Sequence, residues 1–329
     1  MKVGFCGSGA WGITLANLIA QNGHQVLLWG IEEDVIKNLS KGLGHPKFPE
    51  FSIESSISYT HNLVDLLGCD VIVECVTAKG LRPVCNELKK LGGLTQPFIL
   101  TSKGIEQDTG LLLVEVAEEI LGKGELIGYM GGPTLAKEVM LEHPTSAVGA
   151  SPNAQVTQII KNLFCSPVFR IYESSDIKGV ALGGAVKNVI ALATGLSEGL
   201  GYGFNTKAFL ITKGLEEMCK LAKAKGGLES TCFGLAGLGD LIVTGVSDLS
   251  RNFSFGKLLG EGHSNDQAME KIGMVVEGSY TVLSAYNLGK KYNLELPITK
   301  AMYQVVYEGR NAKEAIFELL ERENICENV

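Results

Sequence analysis

The sequence lacks several features that would point to particular classes of protein. Its 329 residues contain no Cys-x-x-Cys pair, so a zinc ribbon or a thioredoxin-like redox motif has no support. No run of basic residues occurs and the formal net charge is −7, which argues against a protein that binds nucleic-acid phosphates. No uninterrupted apolar run approaches the roughly 18 residues that indicate a membrane span. We therefore expect no metal site, no nucleic acid and no membrane span.

The cysteines and the first residues favour a cytoplasmic protein. Several of the eight cysteines lie in apolar runs, such as DVIVECV at 70–76, where a reduced thiol behaves as a small hydrophobic side chain. The N-terminal segment MKVGFCGSGAWG places Lys2 ahead of an apolar stretch, as a signal peptide does. Its glycines interrupt that stretch, however, and a ligand-binding loop explains them better. We therefore expect a protein of the reducing cytoplasm.

Strand-like and helix-like segments alternate along the first half of the chain. The strand-like runs lie at 2–7, 25–29, 70–76, 97–102, 126–130, 145–150 and 168–174. Helical patterns lie between them at 11–23, 33–42, 81–92 and 109–122. This alternation predicts an α/β domain over 1–175, with a doubly wound, mostly parallel sheet that carries helices on both faces.

The pattern changes near residue 175. The segment that follows begins with Ser and Asp residues, which favour helix N-termini, and continues as a long apolar helix. Further helical segments lie at 206–225, 230–244, 252–262, 264–272, 277–292, 297–308 and 312–322, and no convincing strand occurs among them. We therefore expect an all-helical C-terminal domain over 176–329.

A glycine-rich loop follows the first predicted strand. Gly7, Gly9 and Gly12 form the pattern Gly-x-Gly-x-x-Gly directly after that strand and at the start of a helix. Gly7 permits a tight turn, Gly9 lets a pyrophosphate approach the backbone, and Gly12 lets the helix pack against the strand. Helix N–H groups then face the anion. In this context the pattern favours a Rossmann-type dinucleotide-binding domain over a purely structural turn.

Acidic residues after the second predicted strand bear on which dinucleotide binds. Ile31 is followed by Glu32, Glu33 and Asp34, and neither Arg nor Lys stands beside them to receive a 2′-phosphate. A carboxylate at this point commonly hydrogen-bonds the adenosine ribose of NAD. The sequence therefore favours NAD over NADP. The alternative is that these acidic residues only begin a solvated helix.

A single lysine, Lys187, stands in the middle of the apolar segment LGGAVKNVIALATG. Its neighbours three and four positions away on a helix are glycine, isoleucine and alanine, so none of them carries a charge. Burying an unpaired ammonium is costly, and such a lysine usually has a distant partner, a shifted pKa or a chemical task. The alternative is that its aliphatic stem covers apolar surface while the ammonium reaches water.

Further clusters place polar residues where ligands commonly bind. Lys103 follows a predicted strand, at the edge where open α/β sheets bind ligands. In GGPTLAKE, Pro133 is expected to begin a helix, with the Thr134 hydroxyl at its positive end. Asp240 stands among glycines in the second domain, and SRN at 250–252 combines a guanidinium, a hydroxyl and an amide at a helix start, which suits phosphate. Each cluster also has an ordinary explanation as solvated surface or helix initiation.

These segments resemble the NAD(P)-dependent glycerol-3-phosphate dehydrogenase family. The matching motifs occur in the family order over nearly the whole chain: GSGAWG, TSKGIE, GGPTLAKE, LGGAVKNVIALATGLSEGLGYG, GLAGLGDLIVT, SRN, VVEG and LPITKAMYQVVYEG. The resemblance implies hydride exchange between a nicotinamide and C2 of dihydroxyacetone phosphate, giving sn-glycerol 3-phosphate. It also implies a homodimer, NAD as cofactor with NADP as the alternative, and a role in supplying phospholipid synthesis.

The resemblance further implies roles for individual residues. Lys187 matches a catalytic lysine that exchanges a proton with the substrate oxygen, Lys103 a second catalytic lysine, and Asp240 a carboxylate that orients Lys187. The implied substrate-binding residues are Lys103, Gly132, Thr134, Lys187, Asp240, Ser250, Arg251 and Asn252. The implied cofactor-binding residues are Gly7, Gly9, Ala10, Trp11, Gly12, Ile31, Lys103, Ala136, Arg251, Val275 and Glu277. Asn188 and Asn205 are implied to form hydrogen bonds in the same site, and no metal is implied.

The sequence departs from the family pattern at several positions. Ile31 replaces a common His or Arg, and Thr77 replaces the proline of a common Val-Pro-Ser segment. Met130 stands where Ser is common ahead of the GPT motif, and Gly245 stands where Cys commonly follows Thr244. None of these departures removes a residue of the lysine–aspartate pair or of the SRN segment.

Two other functions fit parts of this pattern. A β-hydroxyacid dehydrogenase shares the architecture and a lysine on an equivalent helix, but its substrate carries a carboxylate, and the SRN segment argues against it. A non-catalytic NAD(H)-binding sensor should have lost Lys187 or Asp240, and both are present.

Overall fold

The computed structural model describes residues 1–321, which form two compact units. The first unit comprises Met1–Glu106 and Leu111–Ala181, and the second comprises Gln107–Gly110 together with the chain from Leu182 onward. None of the seven described cysteines forms a disulfide bond. The eighth, Cys326, lies outside the described residues.

An eight-stranded sheet forms the centre of the first unit. Its strands are β1 (Lys2–Cys6), β2 (Gln25–Trp29), β3 (Ile57–Thr60), β4 (Val71–Glu74), β5 (Phe98–Leu100), β6 (Ile127–Gly131), β7 (Thr145–Ala150) and β8 (Phe169–Ser174). Their order is β3-β2-β1-β4-β5-β6-β7-β8, and every neighbouring pair is parallel except β6 with β7. The predicted mostly parallel, doubly wound sheet is therefore confirmed. Strands β2 and β3 lie on one side of β1, and the chain then crosses over to place β4 on its other side. Such sheets bind ligands at this crossover point.

Six helices accompany this sheet, and their apolar faces complete its core. They are α1 (Ala10–Gln21), α2 (Glu33–Ser40), α3 (Ala78–Lys90), α4 (Leu113–Leu121), α5 (Ala136–Met140) and α6 (Ala154–Phe164). Two short 3₁₀ turns lie at Leu63–Gly68 and Gly124–Leu126. Phe5, Ile13 and Val73 are fully buried between strands and helices. Helices cover both faces of the parallel sheet, and its strands are therefore nearly continuous apolar runs in the sequence.

Two elements of the first unit were missing from the sequence-based prediction. The edge strand β3 has only four residues, and of its alternating side chains only Ile57 is buried, so its apolar signal is weak. Helix α6, by contrast, had a readable signal, because Asn153 is a favoured N-cap residue. Its side chain accepts a hydrogen bond from the N–H of Gln155 at 3.0 Å.

The described part of the second unit is all-helical, as predicted. Its helices are α7 (Ile177–Gly199), whose first turn belongs to the first unit, α8 (Phe204–Ala224), α9 (Glu229–Cys232), α10 (Asp240–Gly245), α11 (Arg251–Gly260), α12 (Asn265–Ile272), α13 (Glu277–Lys291), α14 (Pro297–Tyr307) and α15 (Ala312–Glu321). The Asp176 carboxylate accepts a hydrogen bond from the N–H of Gly179 at 2.9 Å and so caps α7. The helix expected over 230–244 is divided into α9, a π-helical turn at Leu235–Gly239 and α10. The glycines of GLAGLG account for this break.

Helix α7 is almost entirely buried and packs closely against α11. A Cβ on Gly195 would lie 2.0 Å from the carbonyl oxygen of Phe253, and one on Gly256 would lie 2.0 Å from that of Leu192. Glycine is therefore required at both positions. By length and composition α7 could cross a membrane, but its apolar window is completely buried within the protein. Such burial is typical of the core helix of a globular unit, and no other described helix passes the same test.

The buried carboxylate of Glu217 on α8 caps helix α14. It accepts hydrogen bonds from the N–H groups of Ile298 and Thr299 at 2.5 and 3.0 Å, and from the Thr299 hydroxyl at 2.6 Å. Burial nevertheless raises the pKa of Glu217 from 4.5 to about 7. The folded protein therefore binds this proton more tightly than the unfolded chain does. Stability linked to Glu217 is present below pH 4.5 and is lost as the pH rises to about 7.

We expect Glu217→Gln to remove this contribution to the pH dependence of stability. Between pH 4.5 and 7 the free energy of unfolding of the wild type should fall, relative to the variant, by roughly 3 kcal/mol. Urea denaturation at several pH values measures how the free energy of unfolding changes with pH in the wild type and in the variant. Glu216→Gln, which alters an exposed carboxylate on the same helix, is the matched control and should keep the wild-type slope. Parallel slopes for wild type and Glu217→Gln would contradict the prediction.

Candidate active site

The glycine-rich loop of the first unit has the geometry of a dinucleotide-binding turn. Gly7 has φ +126°, a conformation that side chains other than glycine rarely adopt. A Cβ on Gly12 would lie 2.1 Å from the carbonyl oxygen of Gly7, so only glycine allows α1 to pack so closely. A Cβ on Gly9 would meet nothing within 4 Å, and no side chain caps α1. The loop thus offers open backbone and uncapped helix N–H groups, which fit a pyrophosphate.

The other residues assigned to the cofactor in the first unit lie around this loop. Ala10 and Trp11 are the first two residues of α1 and are half-buried. Ile31, 77% exposed, follows the end of β2, and Glu32 follows it directly ahead of α2. Helix α2 begins at Glu33, so the acidic residues form the start of a solvated helix. They also follow β2, where a residue that binds the ribose is expected, so both interpretations remain compatible with the structure. Their contact with an adenosine ribose stays a prediction.

The structure brings Lys103, Gly132 and Thr134 together at the carboxyl ends of β5 and β6. The Lys103 ammonium donates a hydrogen bond to the carbonyl oxygen of Gly132 at 3.1 Å, and the Thr134 hydroxyl donates to the same oxygen at 3.1 Å. The expectation that Pro133 begins a helix is wrong, because α5 starts only at Ala136. The Thr134 hydroxyl is thus engaged in its own turn, and Ala136 is the first helical residue.

Two contacts that the sequence did not reveal hold the segment that carries Lys103. On one side, Glu74 Oε1 accepts hydrogen bonds from the N–H of Val76 at 2.8 Å and from the Ser102 hydroxyl at 2.7 Å. On the other side, the Arg82 guanidinium donates two hydrogen bonds to the Glu106 carboxylate, both at 2.7 Å. The only sequence signal for the first contact was an acidic residue inside an apolar strand.

Glu74 is fully buried at the end of β4. Burial raises its pKa from 4.5 to about 7, against the opposing effect of the hydrogen bonds from Ser102 and Val76. Its second carboxyl oxygen, Oε2, has no hydrogen-bond partner among the described residues. A buried carboxyl next to the glycine-rich loop therefore titrates near neutral pH.

The second unit resolves the question of the lysine in the apolar helix. Lys187 is 6% exposed, so its ammonium does not reach water in the way that the alternative explanation requires. It forms an ion pair with the Asp240 carboxylate and donates a hydrogen bond to the Thr244 hydroxyl at 2.6 Å. Asp240 is itself 1% exposed. A buried ammonium thus has two polar partners from a different part of the chain.

The turn ahead of α10 determines where Asp240 lies. A Cβ on Gly183 of α7 would lie 2.6 Å from the carbonyl oxygen of Ala236, so glycine admits the π-helical turn beside Lys187. Asp240 and Thr244 are then separated by four residues on α10, which places both on one face of that helix. Thr244 was not predicted to belong to the site, although this spacing from Asp240 was a usable signal.

The SRN segment begins helix α11, as predicted, but its side chains face different partners. The Ser250 hydroxyl accepts the N–H of Phe253 at 3.2 Å and caps the helix. The Arg251 guanidinium donates to the carbonyl oxygen of Val275 at 2.9 Å, close to Glu277 at the start of α13. Arg251, Val275 and Glu277 are therefore brought together, as their shared assignment to the cofactor requires.

Asn252 belongs to a buried amide network. Its Nδ2 donates to Asn188 Oδ1 at 2.8 Å, and its Oδ1 accepts the N–H of Gly278 at 2.9 Å. These bonds join α7, α11 and α13. Both asparagines thus have structural partners, and their contact with substrate stays a prediction. Asn205 lies in the first turn of α8 and is exposed, and it takes no part in these two hydrogen bonds.

The two units offer complementary chemistry. The first has a loop suited to a dinucleotide, and the second has a buried, ion-paired lysine suited to proton transfer. Within residues 1–321, no group of three or more His, Cys, Asp or Glu residues is arranged to hold a metal ion. A hydride carrier and a proton donor are the two requirements for reducing a carbonyl group to an alcohol.

Family models and curated relatives identify one family for this chain. Residues 2–157 match the family model described as NAD-dependent glycerol-3-phosphate dehydrogenase N-terminus, and residues 176–317 match the corresponding C-terminus model. A relative from Chlamydia pneumoniae, named glycerol-3-phosphate dehydrogenase (NAD(P)+), is 47% identical over 323 residues, which cover 97% of this chain and 97% of that protein. A relative of the same name from Chlamydia muridarum is 46% identical, with the same coverage.

A solved structure supports the same assignment. The crystal structure of a glycerol-3-phosphate dehydrogenase from Coxiella burnetii is similar to this chain with a TM-score of 0.93 and 34% sequence identity. The match covers 98% of this chain and 99% of that one.

Proposed function

Because the chain belongs to the NAD-dependent glycerol-3-phosphate dehydrogenase family, we propose that it exchanges hydride between NAD(P)H and dihydroxyacetone phosphate, giving sn-glycerol 3-phosphate. The observation that carries this proposal is the buried cluster of Lys187, Asp240 and Thr244, because it supplies a positioned proton donor. A structural role alone does not explain why an ammonium is buried in the centre of an apolar helix.

The enzyme is NAD(P)-dependent, and we propose that NADH is the preferred cofactor. Bound at the glycine-rich loop, the nicotinamide supplies the hydride. Glu32, Glu33 and Asp34 follow β2 without a neighbouring Arg or Lys, so a 2′-phosphate there would meet negative charge. Ala10, Trp11, Ile31, Ala136, Arg251, Val275 and Glu277 are assigned to the cofactor together with the loop glycines Gly7, Gly9 and Gly12.

The proposed mechanism gives the proton transfer to Lys187. In the direction of reduction its ammonium donates a proton to the carbonyl oxygen as negative charge develops there, and in oxidation the amine takes the proton back. Asp240 and Thr244 hold the side chain in one orientation, which a flexible lysine would otherwise lose. Lys103 contributes a second positive charge toward substrate. The other substrate-binding residues proposed are Gly132, Thr134, Ser250, Arg251 and Asn252.

Three further proposals concern the setting of the enzyme. We propose that it acts in the cytoplasm, that it forms a homodimer, and that its product supplies phospholipid synthesis. The seven described cysteines, none of which forms a disulfide bond, support the first. The other two follow from family membership alone.

The decisive experiment measures oxidation of NADH by dihydroxyacetone phosphate, followed by the absorbance of the reduced nicotinamide, with NADPH in a parallel assay. Rapid oxidation supports the proposed reaction, and the ratio of kcat/KM for the two cofactors decides the preference. Turnover of a β-hydroxy acid instead would favour the related dehydrogenase class. Binding of NADH without turnover of either substrate would favour a sensor.

We expect Arg251→Ala to raise KM for dihydroxyacetone phosphate by about 10- to 100-fold, because charge-assisted hydrogen bonds to the phosphate would be lost. The urea midpoint should stay close to the wild-type value, since the guanidinium makes only one described backbone contact. Arg170→Ala, which alters an exposed arginine on β8, is the control and should leave KM unchanged. An unaltered KM in Arg251→Ala would refute its role in phosphate binding.

A further inference from the structure

A buried histidine outside all of the motifs contacts the glycine-rich loop. His45 lies between α2 and β3 and is 3% exposed, and it is the one buried histidine among those described. Its Nε2 lies 3.0 Å from the carbonyl oxygen of Ser8, the residue between Gly7 and Gly9. Contact of a buried imidazole with this backbone atom has no explanation in the functions assigned so far.

The hydrogen bonds determine which form of the ring is present. The backbone N–H of Lys47 donates to His45 Nδ1 at 3.1 Å, so Nδ1 must carry a lone pair. Nε2 therefore carries the hydrogen and donates it to the Ser8 carbonyl. The ring is neutral, and both of its nitrogens have a backbone partner.

This contact acts on a part of the loop that needs support. Gly7 and Gly9 flank Ser8, and glycine allows many backbone conformations. The Ser8 side chain also packs closely against Gly30, where an added Cβ would lie 2.3 Å from the Ser8 hydroxyl oxygen. The imidazole thus fixes the peptide that leads directly to the open N–H groups of α1.

We propose that His45 is a positioning residue for the dinucleotide: its neutral ring, oriented by the N–H of Lys47, donates from Nε2 to the Ser8 carbonyl and holds that peptide in its binding conformation. This inference rests on the proposed function only in requiring that the loop binds a nicotinamide dinucleotide. A second proton would occupy Nδ1 and face the N–H of Lys47, so a protonated ring would have to move from this position although Nε2 remains a donor.

Burial is the main reason why the ring is neutral at physiological pH. Burial is the main cause that lowers the pKa of His45 from 6.5, and Lys47 lowers it further. The Ser8 carbonyl and Glu32, ahead of α2, act in the opposite direction but do not outweigh burial. The part of the dinucleotide affinity that depends on His45 should therefore be constant at neutral pH and fall on acidification below pH 6.5, whereas any effect of Glu74, whose pKa is about 7, is common to the wild type and the His45 variants.

The test measures binding of NADH to the whole protein, by quenching of the emission of Trp11 and Trp29, between pH 8 and 5.5. We expect His45→Phe to weaken binding at pH 8 by about fivefold to tenfold, the effect of one lost hydrogen bond. His45→Gln keeps an N–H donor near the position of Nε2, so it should retain most of the affinity and lose the acid dependence. His143→Gln, which alters an exposed histidine of the same unit, is the control and should behave as wild type.

Kinetics and NMR add readouts that loss of folding would not reproduce. KM for NADH should rise in His45→Phe while kcat stays near the wild-type value. In the wild type, one of the five histidine ring signals should titrate below pH 6.5 in step with the loss of NADH affinity, and His45→Gln should lack that signal. A wild type that fails to bind NADH would overturn the proposed function and this inference with it. If the wild type binds NADH and both His45 variants show the affinity and the pH dependence of the wild type, this inference alone is overturned.

Discussion

Replacing Lys187 with alanine should lower kcat by about three orders of magnitude or more, while the affinity for NADH stays within about twofold of the wild type. The ammonium is the proposed proton donor, so its removal leaves the developing alkoxide without a proton and without a balancing charge. The glycine-rich loop belongs to the other unit, and the substitution removes none of its atoms. Steady-state kinetics with dihydroxyacetone phosphate and fluorescence titration with NADH measure the two effects separately.

Two controls separate the chemistry of Lys187 from its packing. Lys223→Ala removes an exposed lysine from α8 and should leave kcat unchanged. Lys187→Ala also leaves a space beside Asp240 and Thr244 that a small amine can enter. Added methylammonium should therefore restore part of kcat in a concentration-dependent way. Residual activity above a few per cent of the wild type in the absence of amine would remove Lys187 from the mechanism.

The fold was predictable where the sequence signal was local. Alternation of strand and helix patterns, with Gly7, Gly9 and Gly12 after the first strand, predicted the sheet and the ligand-binding loop because each depends on nearby residues. The prediction failed where local signals were weak and where glycines interrupted a pattern, and it also missed α6 although Asn153 gave a usable N-cap signal. Strand β3 has one buried side chain, and the π-helical turn at Leu235–Gly239 divides what looked like one helix.

The candidate site was predictable as a set of residues but not as a set of contacts. The apolar neighbours of Lys187 showed that its partner must be distant, and the ion pair joins residues 53 positions apart. Position in the sequence could not show that Thr244 completes the cluster or that Asn252 bonds to Asn188. The contact of His45 with Ser8 joins residues 37 positions apart, and it forms only when the segment between α2 and β3 packs against the glycine-rich loop.

Replacing Asp240 with asparagine should lower the free energy of unfolding by about 3–5 kcal/mol, because it leaves the Lys187 ammonium buried without a counter-charge. Urea denaturation and hydrogen exchange of the α7 amides measure the loss. Asp248→Asn is the matched control: its side chain is 82% exposed, and its contact with Lys257 is 3.9 Å long. We expect that control to change stability by no more than about 0.5 kcal/mol.

The double variant Lys187→Met, Asp240→Leu distinguishes a pair kept for stability from a pair kept for chemistry. It removes both charges and fills their volume with apolar atoms, and such replacements of buried ion pairs are often neutral or stabilising. We expect it to be more stable than Asp240→Asn and about as stable as the wild type, yet inactive. This result would mean that the fold does not need the pair and that the reaction does. If the double variant instead lost as much stability as Asp240→Asn, the pair would be a structural element, and its link to proton transfer would need separate support.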